Sequence, residues 1–189
     1  MKLSIFLYRF VKNEYTMNYK IKFLGCLFLL LAITYSCSVE TEKHEITTPV
    51  LDLKAVGPLF EGSNTSTATW EFNLEDLFPE VEGDLIIEKA KITNINIKPK
   101  SGTDYPKIGK MVMEMKSKYT SMTRIGLLET NIQTDKSYDL QVAKSQEEIE
   151  VAITDERITF VGDFDMLQED YYDDVIFDLQ VTFEIETRK

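Results

Sequence analysis

The chain has 189 residues, a length that predicts one domain, and its 43% hydrophobic and 28% charged residues are typical of a folded protein. Five of the 21 lysines and arginines, but only one of the 32 aspartates and glutamates, precede Cys37, so the remainder carries a formal charge of about −15. Such a charge repels phosphate backbones and anionic headgroups, which argues against nucleic acid as a partner and against electrostatic attachment to membranes.

The N-terminal segment is predicted to be an export signal preceded by an extension. Residues 1–16 fit no part of a signal peptide, and we interpret them as an upstream extension with translation starting at Met17; a retained extension is the alternative. After Met17, two lysines precede the apolar run 23–33, which has 11 residues. A signal peptide needs about 7–15 apolar residues and a membrane-spanning helix about 20. Residues 17–36 are therefore predicted to be a cleaved signal.

Cys37 follows this run, with the small residue Ser36 immediately before it and the acidic stretch 38–42 immediately after it. This arrangement resembles the signal of Bacteroidota-type surface lipoproteins, in which the cysteine is diacylated and becomes the first residue of the mature protein. The resemblance implies a lipid anchor on Cys37 and a surface-exposed position on the outer membrane, with a periplasm-facing position as the alternative. An ordinary secretory signal with a chance cysteine is the other interpretation. Acyl chains would attach an acidic domain without a basic patch.

Residues 37–55 are predicted to be a flexible acidic tether, because they are polar and show no clear period. They contain His44, the only histidine of the chain. Since the mature chain has no second histidine and no cysteine partner, we interpret His44 as a solvated linker side chain rather than a metal ligand or general base.

Residues 56–189 are predicted to form the folded domain, beginning with an alternating strand at 68–74. Its apolar face contains Trp70, which is predicted to lie in the core rather than in a sugar-stacking platform. The apolar positions of 86–97 change phase between Ile92 and Ile95, which predicts a β-bulge at Thr93-Asn94. A methionine stripe in 111–115 is predicted to be core. The other predicted strands are 138–142, 149–153, 158–162 and 175–186.

About seven alternating strands without a sustained helical period favour an all-β fold, and the polar outer faces favour antiparallel pairing. We predict an antiparallel β-sandwich, immunoglobulin-like or similar, with a partly closed barrel as the main alternative.

One acidic stretch is a weak candidate for a metal site, because clustered carboxylates can bind Ca²⁺. Its members are Asp163, Asp165, Glu169, Asp170, Asp173 and Asp174. Their spacing is not that of an EF-hand loop, so we interpret the stretch as a solvated connection into the last strand. We therefore predict no metal and no cofactor.

The sequence favours a non-catalytic protein. It offers no Ser–His or Cys–His pair, because His44 lies in the predicted tether and Cys37 is the predicted lipid site. We expect a lipid-anchored binding module for a glycan, an envelope protein or another envelope component. The alternative is a carboxylate-dependent, glycosidase-like hydrolase, since any acidic chain contains pairs of carboxylates.

Overall fold

The structure is a computed structural model that describes residues 41–80, 85–100, 105–134 and 136–188, without the side chains of Gln168 and Glu169. The predicted extension, the signal 17–36 and the lipid site Cys37 lie outside the described residues. No helix in the described part of the chain is long and apolar enough to cross a membrane.

The described residues form mainly β-strands, with two short helices. The strands in chain order are β1 (Thr41–Thr47), β2 (Leu51–Ala55), β3 (Leu59–Glu71), β4 (Ile86–Pro99), β5 (Ile108–Lys116), β6 (Thr123–Leu128), β7 (Tyr138–Asp139), β8 (Gln141–Val142), β9 (Arg157–Tyr171) and β10 (Val175–Arg188). The helices are α1 (Leu74–Leu77) and α2 (Ile149–Thr154).

The strands pair in the order β7-β4-β10-β2-β3-β9-β5-β6-β8, with every pair antiparallel, and β1 also pairs with β10. The two ends of this order come together at the short strands β7 and β8. There, the Leu140 N–H donates to the Ile95 carbonyl of β4, and the Ala143 N–H donates to the Ile125 carbonyl of β6. The sheet is therefore nearly closed and barrel-like. The predicted all-β, antiparallel class is confirmed, whereas its division into two sandwich sheets stays a prediction.

Strand β10 provides the central row of the core. Its six inward side chains are completely buried, as their alternation predicted: Val175, Phe177, Leu179, Val181, Phe183 and Ile185. Burying each such side chain contributes about 1.5–3 kcal/mol relative to leaving it exposed. Apart from Ile176, the other face of the strand is polar, so this element is amphipathic over most of its length.

The predicted bulge in β4 and the predicted methionine core are both confirmed. Thr182 of β10 pairs with Asn94 while the next residue, Phe183, pairs with Ile92, so Thr93 is the extra residue that restores one inward face. The three methionines of β5 are almost fully buried: Met111, Met113 and Met115.

Residues 41–55 are not a tether, which corrects the sequence-based prediction. They form β1 and β2, which together cover one edge of β10. Leu53 and Ala55 are completely buried. The pairing provides hydrogen-bond partners for backbone groups of β10 that would otherwise lack them. The sequence of residues 41–55 does not by itself predict this stabilisation, because the partner strand lies far away in the chain.

His44 is a packed side chain rather than a solvated one. It is half-buried on β1, where its Nε2 lies 3.0 Å from the Thr187 hydroxyl. The edge of its ring meets Phe78, with 5.1 Å between the ring centroids. The histidine therefore holds the segment after α1 against β1.

The predicted strand 149–153 is wrong, because these residues form helix α2. Its buried side chains are Ile149, Ala152 and Ile153, a spacing that places them on one helical face. A turn at Asp155 and Glu156 connects α2 to β9, and Glu156 has a φ of 56°.

Candidate functional site

The acidic stretch is not a loop, because most of it belongs to β9. Asp163 lies on the outer face of the strand, where its Oδ1 accepts a hydrogen bond of 2.7 Å from the Thr65 hydroxyl. Asp165 and Asp170 are exposed on the same strand, and Asp173 is exposed in the turn after it. The side chain of Glu169 lies outside the described residues.

Asp174 has a structural partner on the neighbouring strand. Its carboxylate lies 2.5 Å from Lys54 Nζ and accepts a hydrogen bond of 3.1 Å from the Gly57 N–H. The hydrogen bond from Lys54 holds the pKa of this carboxyl below its ordinary value. Within the part of the chain that the structure describes, no three His, Cys, Asp or Glu side chains are grouped to hold a metal ion. The strand geometry therefore spreads the acidic residues instead of gathering them.

Four exposed apolar side chains lie at one end of the domain, and we call them the apolar rim. They are Val56 (69% exposed), Phe60 (57%), Leu167 (52%) and Tyr172 (76%). Two come from the β2–β3 connection and the start of β3, and two from the end of β9 and the turn into β10. Exposed aromatic and aliphatic side chains of this kind are typical of protein or sugar contact surfaces.

The backbone under the apolar rim is closely packed. A Cβ added at Gly57 would lie 2.4 Å from the Tyr172 carbonyl oxygen, so only glycine permits this approach. The Asp174 carboxylate joins the same two connections through Gly57 and Lys54. Nearby, the hydroxyl of the half-buried Tyr105 donates to the Ile176 carbonyl at 3.0 Å, and burial raises the pKa of that tyrosine. The rim side chains therefore project from a closely packed, preorganised backbone.

Trp70 and the two tyrosines that follow β9's acidic stretch differ in how deeply they are buried. Trp70 is 5% exposed and stacks on Phe72 at 4.0 Å between ring centroids, so the prediction that it belongs to the core is confirmed. Tyr171 packs against the core, whereas its neighbour Tyr172 is exposed. The apolar rim was not predicted from the sequence, although apolar residues lie on both sides of Gly57-Pro58.

A second feature is a charged groove on the outer face of β1, β10 and β4. It has a volume of about 330 Å³ and is lined by Lys43, Glu88, Lys89, Ala90, Lys91, Glu150, Glu184 and Glu186. Glu186 lies 3.0 Å from Lys43 Nζ and 3.4 Å from Lys89 Nζ. Glu184 lies 2.8 Å from Lys91 Nζ. The acidic strand β10 is thus flanked by lysines on both sides.

These lysines hold the pKa of both central carboxyls below the ordinary value of 4.5, chiefly through the hydrogen bond from Lys91 to Glu184 and that from Lys43 to Glu186. A general acid of a glycoside hydrolase needs the opposite, a raised pKa. The groove is therefore better suited to a structural role than to acid catalysis.

The charged groove predicts a pH-dependent difference in stability. Because the folded-state pKa values of Glu184 and Glu186 are lowered, their contribution is present above about pH 4.5 and is lost as the pH falls through the folded values. We expect a Glu184→Gln/Glu186→Gln variant to melt at a lower temperature than the wild type at pH 7, with the gap shrinking at about pH 3. Thermal melts at both pH values measure this gap. Glu61→Gln is the matched control, and a gap that stays constant would contradict the prediction.

No protein-family model matches the chain, and no curated protein shows significant similarity to it.

Proposed function

We propose that this protein is a lipid-anchored, non-catalytic module of the cell envelope that binds its ligand through the apolar rim. The proposed anchor is Cys37, and the proposed location is the outer membrane with the domain exposed at the surface. The ligand class is a glycan or an envelope protein, and nucleic acid is disfavoured by a charge of about −15 after Cys37.

The observation that carries this proposal is the exposure of Phe60 and Tyr172 on a preorganised backbone. Aromatic side chains supply large contact areas at low entropic cost, and they are enriched where proteins bind partners. Tyrosine also brings a hydroxyl that can hydrogen-bond a sugar or a peptide group.

The position of the apolar rim supports the same proposal. Strand β1 begins with Thr41 at one end of the domain, and β10 runs antiparallel to it from Val175 to Arg188. The rim lies beside the start of β10, and therefore at the end of the domain opposite Thr41. A domain attached through residues preceding Thr41 would present this end away from the attachment point.

For the architecture, we assign the domain to the barrel alternative rather than to the sandwich. The support is the pair of hydrogen bonds from Leu140 and Ala143, which join the segment 138–143 to both β4 and β6. A closed sheet leaves few unpaired strand edges, which protects a surface protein from edge-to-edge association.

The carboxylate-dependent hydrolase is not proposed further. The two closely flanked carboxyls of the charged groove, Glu184 and Glu186, both have lowered pKa values. Tyrosine, phenylalanine and aliphatic side chains dominate the other candidate surface, where they supply contact area but no acid–base pair.

The apolar rim is tested with the anchored protein purified in detergent. The protein is applied to a glycan array and to envelope extracts, and the Phe60→Ala/Tyr172→Ala variant is compared with the wild type. We expect the variant to lose about ten-fold or more in affinity, as is usual when central aromatic contacts are removed. Val50→Ala, another exposed apolar position, should bind like the wild type. Equal binding by wild type and double variant, or binding by neither, would contradict the proposal.

A further inference from the structure

The turn between β5 and β6 is a basic exception in an acidic domain. Residues 116–124, which we call the basic hairpin, contain Lys116, Lys118 and Arg124 and no aspartate or glutamate. All three cationic side chains are exposed. Among the residues that the structure describes, no ion pair includes them, although the nearby charge of Asp155 acts on Lys118. Lys89 and Lys91 of β4, by contrast, are paired with acids of β10.

The basic hairpin also exposes apolar surface at its tip. Tyr119 is 69% exposed and Met122 is 47% exposed. Lys118 Nζ lies 4.6 Å from the centroid of the Tyr119 ring, so charge and aromatic surface are adjacent. A tyrosine beside a lysine is well suited to a membrane interface. The tyrosine ring can enter the interfacial region while the lysine ammonium stays with the lipid headgroups.

Hydrogen bonds from the hairpin to two acids hold this tip in place. The Asp155 carboxylate accepts hydrogen bonds from the Ser117 hydroxyl and, at 3.0 Å, from the Tyr119 N–H. Glu148 Oε2 accepts from the Ser121 N–H at 3.2 Å. The apolar side chains are thus presented outward by an ordered turn and do not fold back onto the domain.

The basic hairpin lies at the end of the domain where the chain enters. Lys116 at the end of β5 pairs with Thr159 near the start of β9, and Arg157 at that start pairs with Glu71 at the end of β3. The segment after β3 carries Phe78, which contacts His44 on β1. The end of β5 and the beginning of β1 therefore share one end of the domain. Because Cys37 precedes Thr41 by four residues, the extended chain between them spans at most about 14 Å.

We propose that the basic hairpin contacts the anionic headgroup region of the membrane to which the protein is attached. The inference rests on the proposed lipid anchor at Cys37, which would bring this end within reach of the bilayer. A membrane is favoured over a protein partner because the hairpin combines three exposed cations with an exposed tyrosine and methionine, at the end of the domain opposite the apolar rim. Anionic lipid attracts such cations locally even though the domain as a whole is acidic.

The test uses the acylated protein reconstituted in vesicles that contain anionic lipid, with quenchers placed on the lipid chains. A Met122→Cys variant carries an environment-sensitive fluorophore, and a Tyr172→Cys variant carries the same fluorophore at the apolar rim. Flotation first measures whether the protein stays with the vesicles, which tests the anchor independently. We expect strong quenching at position 122 and little at position 172.

A charge-reversed variant tests the electrostatic part of the proposal. In the Met122→Cys background, Lys116→Glu/Lys118→Glu should reduce the quenching several-fold without reducing flotation, and far-UV circular dichroism checks that the fold is retained. Flotation without quenching at 122, or equal quenching at 122 and 172, would overturn the hairpin contact while leaving the anchor intact. Loss of flotation in the parent protein would overturn both the anchor and the contact that rests on it.

Discussion

Replacing Phe177 with alanine is expected to destabilise the domain by about 3–5 kcal/mol, the usual loss when a buried phenylalanine is truncated. Phe177 is completely buried in the middle of the sheet, on the strand that pairs with both β2 and β4. Its ring meets Phe164 and Tyr105 edge-on, with centroid distances of 5.9 and 5.7 Å. Alanine would remove both contacts and leave a cavity. Equilibrium urea unfolding of the mature protein measures the change.

Phe60→Ala is the matched control for this prediction, because it removes the same atoms from a ring that is 57% exposed. Its free energy of unfolding should stay within about 0.5 kcal/mol of the wild type. If Phe177→Ala does not fold, Phe177→Leu should fold with an intermediate loss, because it keeps most of the buried volume. Similar losses for Phe60→Ala and Phe177→Ala would show that the core is not where we place it.

Replacing Cys37 with serine is expected to abolish acylation and release the protein from the membrane fraction. A serine hydroxyl does not replace the thiol as the lipid-attachment group of a lipoprotein signal. Acyl chains contribute about 0.8 kcal/mol per buried CH₂ group, so their loss removes the main proposed means of attachment. Labelling of cells with an alkyne fatty acid, followed by fractionation, measures both effects.

Cys26 provides a control within the same chain, since it is the other of the two cysteines and lies in the predicted signal. Cys26→Ser should be labelled and fractionate like the wild type. Label that persists in Cys37→Ser, or that disappears equally in both variants, would refute the assignment of the anchor. An intact Met1 peptide in the mass spectrum of the mature protein would contradict both the start at Met17 and the cleavage.

The proposed anchor, the basic hairpin and the apolar rim together suggest a fixed orientation for the domain. The hairpin and Thr41 share one end, and the rim lies at the other. A short connection of about 14 Å at most would then keep the hairpin near the headgroups and the rim toward the ligand. This orientation makes the two surfaces separable: substitutions at Tyr172 should affect ligand binding, and substitutions at Lys118 should affect membrane contact.

The alternation of apolar and polar side chains was sufficient to predict features that lie within a single strand. The inward positions of β10 and the bulge at Thr93 were predicted because a pleated strand exposes every second side chain to the core, whatever its neighbours are. The burial of Trp70 followed from the same rule.

The same alternation gave a wrong prediction for residues 149–153, because a short apolar segment can fit both the strand period and the helix period. Ile149 and Ile153 are four positions apart in the sequence, a spacing that fits one face of a strand and also one face of a helix. The buried Ala152 fits only the helix. The acidic residues of β9 were misread for a related reason, because a strand segment with several outward carboxylates resembles a loop.

The remaining features of the fold and of its surfaces depend on pairing between strands that are distant in the sequence. Strands β1 and β2 are stable because they pair with an edge of β10 that is at least 120 residues away in the sequence, and their own residues give little sign of this pairing. The apolar rim joins 56–60 to 167–172, and the basic hairpin reaches the same end as Thr41 through several antiparallel neighbours. Local patterning therefore determined the fold class and the core face of the longest strands. Tertiary structure decided which surfaces come together, because those contacts depend on register and strand order, which local periodicity does not encode.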